Sequence, residues 1–255
     1  VKPKVIIVRA AGTNCDVETQ YAFELAGAHA ERVYIDEIKN RNLLDYQIIA
    51  LPGGFTYGDD IAAGKILANE IKYKLNEHFM RFIEKENLII GICNGFQVLV
   101  KCGILPAFEK YLEPQTVSLT ANDSERFEDR WVYLRVQSER SVFTNGMKHI
   151  ITLPVAHAEG KFVVKDNAIL QKIAELVVFQ YVDRDGREAG YPHNPNGSVL
   201  NIAGITDKTG RVLGLMPHPE RYFSYIQHPK HTREDLPEEG DGFLIFKNAV
   251  QYFKS

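Results

Sequence analysis

A cysteine interrupts the apolar run LIIGICNGFQVLV at residues 88–100, hemmed between Gly91 and Gly95. A buried strand that feeds a helix through Gly-x-nucleophile-x-Gly is the strained elbow that lifts a reactive side chain above the edge of an α/β sheet. The glycines omit side chains where strand and helix crowd the turn. A helix starting near Asn94 would turn unpaired backbone N–H groups and the positive end of its dipole toward the Cys93 sulfur. That setting favours the thiolate, the form that attacks carbon. A free cysteine is more often a small buried filler, but the paired glycines and the turn favour the nucleophile here.

A cysteine nucleophile needs a base, and the base needs an orienting group. The stretch GLMPHPER supplies both. If VLGLM is a strand ending at the same sheet edge, His218 and Glu220 are alternate residues and point to one side. Pro217 and Pro219 stiffen the backbone and cannot continue a ladder. A carboxylate beside imidazole fixes its tautomer and stabilises its charged form; the plainer reading is a polar strand end. The attacked carbonyl also needs its oxyanion stabilised. LPGGFTYGDD carries Gly53, Gly54 and Gly58, so its N–H groups can approach a ligand closely. The N–H of Gly54 is paired with that of Asn94 as the expected oxyanion hole. A phosphate cradle fits poorly, because the Gly-Lys-Ser/Thr ending is missing and Asp59 and Asp60 would repel an anion.

The elements that must hold these residues read as alternating strands and helices. KVIIVRA is a first strand, and CDVETQYAFELAGA a helix with Val17, Tyr21 and Leu25 at helical spacing and Gly27 at its end. ERVYID and QIIALP follow as strands. A long helix is expected over 59–86, with Ile61, Ile66, Leu67, Ile71, Leu75, Phe79 and Phe82 as its interior stripe. LIIGI is then a strand and GFQVLVKC a helix stopped by Gly103. This repetition predicts an α/β fold with a largely parallel central sheet flanked by helices. WVYLRV, HIITLPV, KFVV, LVVFQYV and VLNIAGIT, with turn signals at Asp185-Gly186 and Asn196-Gly197, predict a small antiparallel annex. RVLGLMPHPE reads as a late core strand and DGFLIFKNAVQYFK as a closing helix. No repeat or linker divides the chain, so residues 1–255 are expected to be a single domain.

The 255 residues are 45% hydrophobic and 25% charged, close to globular averages, which argues against disorder. A formal net charge of −3, with no dense basic run, gives no pull toward nucleic acid. The early apolar run soon meets Arg9 and suits a strand rather than a signal peptide, and no stretch approaches membrane-spanning length. Cys15, Cys93 and Cys102 are too few and too scattered for a disulfide framework or a paired metal motif, which fits a reducing cytoplasmic setting.

GICNGFQVL together with PHPER resembles the class I, triad-type glutamine amidotransferases. GTNCD, LPGGFTYGDDIAAGKI, PVAHAEG, NPNGSVLNIAGIT and GRVLGLMPHPER are similar, in the same order over most of the chain, to the glutaminase subunits of phosphoribosylformylglycinamidine synthase from de novo purine biosynthesis. The resemblance implies a flavodoxin-like fold and a glutamine amidohydrolase in which Cys93 forms a glutamyl thioester while His218, oriented by Glu220, protonates the departing ammonia. It implies further that Gln97, one helical turn beyond the nucleophile, and Gly53 help to hold glutamine. The acceptor chemistry would belong to a large synthetase subunit carrying ATP and magnesium, with a small accessory subunit completing the complex. No cofactor or metal is expected in this chain.

Some residues depart from that pattern. Ala10-Ala11 stand where the family usually has Phe-Pro, and Ala158 replaces a glycine in PVAHAEG. His157 and Glu159 are too few for a metal site and are read as structural or interfacial. Cys15 opens a helix without a His-Glu pair assigned to it, Cys102 reads as core, and His228 and His231 as solvated members of a charged loop at 227–242 whose role is open. Two other classes compete: a different cysteine hydrolase on the same fold, and a non-catalytic interaction module, against which the intact Cys-His-Glu set argues.

Overall fold

The structure is a computed structural model that describes residues 2–254; Val1 and Ser255, the bounds of the expected domain, lie outside the described residues. In chain order the elements are β1 (Lys4–Arg9), α1 (Asp16–Leu25), β2 (His29–Tyr34), α2 (Ile35–Ile38), β3 (Ile48–Leu51), α3 (Lys65–Lys74), α4 (Asn76–Glu84), β4 (Leu88–Ile92) and α5 (Asn94–Cys102). There follow β5 (Val117–Thr120), β6 (Glu128–Val136), β7 (Ile150–His157), β8 (Lys161–Val164), α6 (Asn167–Ala174), β9 (Val177–Val182), β10 (Ile202–Thr206), β11 (Val212–Leu215) and α7 (Phe243–Gln251).

A nine-stranded sheet runs β2-β1-β3-β4-β11-β10-β9-β6-β7. From β2 to β11 every neighbouring pair is parallel. The strands at its centre, β3, β4 and β11, are buried along their whole length, because helices cover both faces. From β11 onward the pairing turns antiparallel. Here β7 alternates buried and half-buried residues, the signature of a strand with one covered face. The expected α/β class therefore holds. Most strands assigned to the annex extend the central sheet itself, and a separate antiparallel pair is formed by β5 and β8.

The helix expected over 59–86 is two helices preceded by a loop. Asp59 and Ile61 have φ of 54° and 73°, which no α-helix contains, and α3 starts only after a left-handed Gly64. Leu75, with φ −124°, separates α3 from α4. There Asn76 Oδ1 accepts the Glu77 N–H at 2.7 Å, a local bond that competes with helix continuation. Ile61 is 86% exposed and does not belong to the interior stripe, whereas Leu67, Ile71, Leu75, Phe79 and Phe82 are buried. In α1 the Val17, Tyr21, Leu25 row faces outward. Thr19, Ala22 and Phe23 are the buried face, and Phe23 meets Phe246 of α7 edge-on at 4.9 Å.

The loop at 227–242 is anchored rather than free. His228 is buried, its ring 4.6 Å from that of Trp131 and 5.3 Å from that of Tyr222. This corrects its reading as solvated; Tyr222 is a near neighbour in the chain, but Trp131 is brought by β6, a distant strand that local sequence cannot show. Asp241 Oδ2 accepts the Thr152 N–H of β7 at 2.9 Å and pins the loop's end. His231 is exposed, and Cys102 is fully buried with its pKa pushed up to about 12 by burial. No helix among the described residues is long and apolar enough to cross a membrane.

Candidate active site

Cys93 sits between β4 and α5 with φ 51° and ψ −106°, a conformation rarely adopted by a side-chain-bearing residue. Its N–H donates to Leu215 O of β11 at 2.8 Å, and its carbonyl accepts from Phe96 and Gln97 N–H as α5 begins. The flanking glycines are sterically required. A Cβ on Gly95 would lie 1.9 Å from Leu51 O of β3, and one on Gly91 2.6 Å from Gly95 O. The elbow is thus wedged between two central strands, and the Cys93 sulfur, 3.7 Å from Ala156 O of β7, is nearly buried.

Three residues beyond β11, the chain passes His218, whose N–H donates to Pro154 O at 2.9 Å. The strand ends at Leu215 and Glu220 belongs to a short 3-10 turn, Pro219–Arg221. The two side chains meet through that turn rather than through strand alternation. His218 Nδ1 and Glu220 Oε1 are 2.6 Å apart, and both residues are buried. Burial disfavours the charged imidazole, but the Glu220 carboxylate, Cys93 and Cys15 more than offset it, so its pKa stands well above the ordinary value. His218 Nε2 makes no hydrogen bond among the described residues. With Nδ1 engaged by Glu220, Nε2 is the ring edge open for proton transfer.

Gly53 packs against His218, Cys93 and Cys15. The Cβ it lacks would lie 2.8 Å from His218 Cε1, 3.1 Å from Cys15 Sγ and 3.4 Å from Cys93 Cβ. Its carbonyl accepts the N–H groups of Asn14 and Cys15, and Phe55 N–H donates to Gly12 O. Gly54 has φ 146°, and a side chain there would strike Gly12 O and Asn14 N at 2.8 Å. The GTNCD segment is therefore the brace that holds the glycine loop in place.

Asn94 secures the same loop from the other side. Its Oδ1 accepts from Thr56 Oγ1 at 2.7 Å, and its Nδ2 donates to Asp59 Oδ1 and Gln97 Oε1, each at 3.0 Å. Gln97 is buried instead of lying on a helix surface; its Nε2 donates to Glu159 O at 2.5 Å. One donor and one acceptor of its amide are thus spent on the scaffold, leaving one N–H and one lone pair for a ligand. Glu159 Oε2 in turn accepts the Ala63 N–H at 3.3 Å. These bonds stitch the loops at 53–64 and 157–160 to the start of α5. Burial raises the Asp59 pKa and lowers that of Lys101, which donates to Ala63 O.

His157 is buried, 3.2 Å from Asn122 Oδ1, and burial pushes its pKa down to about 3, so it stays neutral and structural. Ala158, where a glycine was expected, is exposed. Sequence reasoning missed two neighbours of the His-Glu pair. Cys15 Sγ is 4.0 Å from His218 Nδ1, and Arg221 Nη2 donates to that sulfur at 3.1 Å. Both residues stand inside motifs read for other reasons, GTNCD and PHPER. Among the described residues, Cys15, His218 and Glu220 are the one set of three whose ligand atoms, within 4.8 Å of one another, could share a metal ion. An ion there would displace the 2.6 Å His-Glu contact.

A doubly covered sheet with a cysteine at a strand-to-helix elbow, beside a buried histidine-carboxylate pair after the adjacent strand, defines the triad class of glutamine amidotransferases. The chain belongs to the CobB/CobQ-like glutamine amidotransferase domain family, whose model matches residues 2–253. It is 51% identical over 255 residues to the phosphoribosylformylglycinamidine synthase subunit PurQ of Dehalococcoides mccartyi, with 98% of each chain covered. Against the protein of the same name from Archaeoglobus fulgidus it is 43% identical over 268 residues, covering 98% of this chain and 97% of the relative. The solved structure of PurLQS from Thermotoga maritima contains a chain with TM-score 0.76 and 32% identity, covering 99% of this chain and 100% of that one. A glutamine amidotransferase of Thermotoga maritima, at 15% identity and TM-score 0.52, covers 100% of this chain and 93% of its own and shares the fold.

Proposed function

We propose that this chain is the glutaminase subunit of a phosphoribosylformylglycinamidine synthase, acting as one amidotransferase domain in the cytoplasm. The observation that carries the chemistry is the buried His218–Glu220 pair, 2.6 Å apart, beside a cysteine held at a strained elbow. The Cys93 thiolate attacks the side-chain amide carbon of glutamine. The resulting oxyanion is received by the N–H groups of Gly54 and Asn94, with Gly53 and Gln97 lining the substrate. His218 Nε2 gives its proton to the departing nitrogen, and the C–N bond breaks to release ammonia. Water then loses a proton to the imidazole, attacks the thioester and frees glutamate. Glu220 holds the ring in the required tautomer through both steps.

Ammonia released into water is protonated and loses its nucleophilicity, so a sealed path to the acceptor is part of this reading. A large synthetase subunit, completed by a small accessory subunit, receives the ammonia and uses ATP with magnesium to convert formylglycinamide ribonucleotide to formylglycinamidine ribonucleotide. The 51% identity to a named synthase subunit over nearly the whole chain supports this assignment. Incubation with an electrophilic glutamine analogue followed by peptide mass mapping tests it. An adduct on Cys93 is expected, and labelling elsewhere, or none while the complex turns over glutamine, would remove Cys93 from its role.

A further inference from the structure

Cys15 carries chemistry that the glutaminase mechanism leaves unused. It ends the turn before α1 with 1% of its surface exposed, against the same imidazole as Cys93. Its sulfur is 4.0 Å from His218 Nδ1, and both cysteines border the vacant side-chain position of Gly53, Cys15 through Sγ at 3.1 Å and Cys93 through Cβ at 3.4 Å. Any larger residue at 53 would stand between them. Arg221 Nη2 donates to Cys15 Sγ at 3.1 Å, placing a cation where a developing thiolate would need one. All three cysteines are free thiols, but Cys102 is sealed in the core.

We infer that Cys15 is the resolving thiol for Cys93, so that hydrogen peroxide switches the site off as a Cys15–Cys93 disulfide instead of destroying it. This rests on the reading of Cys93 as a reactive thiolate and adds what becomes of it under oxidation. In the first step the Cys93 thiolate attacks peroxide. An S–O bond forms, the O–O bond breaks, and the departing hydroxide takes the His218 proton and leaves as water. In the second step Cys15 sulfur attacks the sulfenic sulfur. The S–S bond forms, the S–O bond breaks, and the Cys15 proton leaves with the hydroxyl as a second water. Two thiols lose two electrons and one peroxide gains them. Burial, the largest influence on Cys15, raises its pKa, against the opposing pull of His218 and Arg221. Without a resolving thiol, the sulfenic acid proceeds to sulfinic acid, which dithiols do not reverse.

The test exposes the full chain to graded hydrogen peroxide and follows glutaminase activity before and after dithiothreitol, with non-reducing peptide maps at each point. Inactivated wild type should yield a cross-linked pair of peptides carrying Cys15 and Cys93 and recover most of its activity. Cys15→Ala should lose activity but recover a fraction at least about fivefold smaller, with Cys93 found as sulfinic acid. Cys15→Ser serves the same purpose if alanine impairs folding, and the wild-type map decides by itself. Absence of the cross-link from inactivated wild type, or equal recovery in the variants, would overturn the inference. If Cys93→Ala leaves untreated glutaminase activity intact, the underlying reading fails instead, which separates the two.

Discussion

At the scale of single residues, the proposed site rests on one short contact between two buried side chains and on the Cys93 sulfur. Cys93→Ala should lower glutamine hydrolysis by roughly 10⁴-fold or more, measured as glutamate release by the assembled complex. Unchanged glutamine-dependent synthesis would instead favour the interaction module. His218 offers a check by pH. Its folded pKa is raised well above the ordinary value despite burial, by Glu220 and the two cysteines. Its proton is therefore held more tightly by the folded chain than by the unfolded one. The stabilisation is complete below the unfolded pKa of about 6.5 and is lost as pH rises from there through the folded value. Glu220→Gln removes the carboxylate's upward pull, so its Tm should fall less steeply than that of wild type above about pH 6.5. Parallel curves for the two proteins would show that Glu220 does not raise the His218 pKa. Cys93, His218 and Glu220 were readable because their motifs are local. Cys15 was not, since its proximity to His218 spans most of the chain.

At the scale of elements, the elbow is held by backbone contacts that leave no room for adjustment. Gly95→Ala would bring a Cβ to 1.9 Å from a carbonyl of central β3, where neither partner can withdraw. We expect a loss of about 3 kcal/mol or more in urea denaturation, and a displaced Cys93 in whatever folds. Gly190→Ala, exposed and with nothing within 4 Å of the added atom, should stay within about 0.5 kcal/mol of wild type. A mild Gly95→Ala would mean that the strand-to-helix turn is looser than the contacts require. Apolar spacing located α1 but named its outward row, because Thr19 and Ala22 are buried for their small size and not for their hydropathy. The same periodicity ran through Leu75 without registering the break, which is set by a backbone dihedral and an asparagine side chain.

At the scale of the whole molecule, glutamine hydrolysis is useful only where ammonia has an acceptor. The chain alone should release glutamate slowly, and addition of the synthetase and accessory subunits should raise the rate between about 5- and 150-fold, the usual range for coupled sites. Equal rates alone and in complex would count against coupling of this kind. The sequence by itself determined the α/β class, the strand-to-helix elbow at Cys93 and the pairing of His218 with Glu220, because each depends on residues adjacent in the chain and on the period of strand or helix. Tertiary structure alone decided that most of the antiparallel strands continue the central sheet, that residues 11–15 brace the glycine loop, that His228 is buried, and that two thiols share one imidazole. Those features arise where segments far apart in sequence are packed together, and neither local spacing nor propensity encodes which distant segment will arrive.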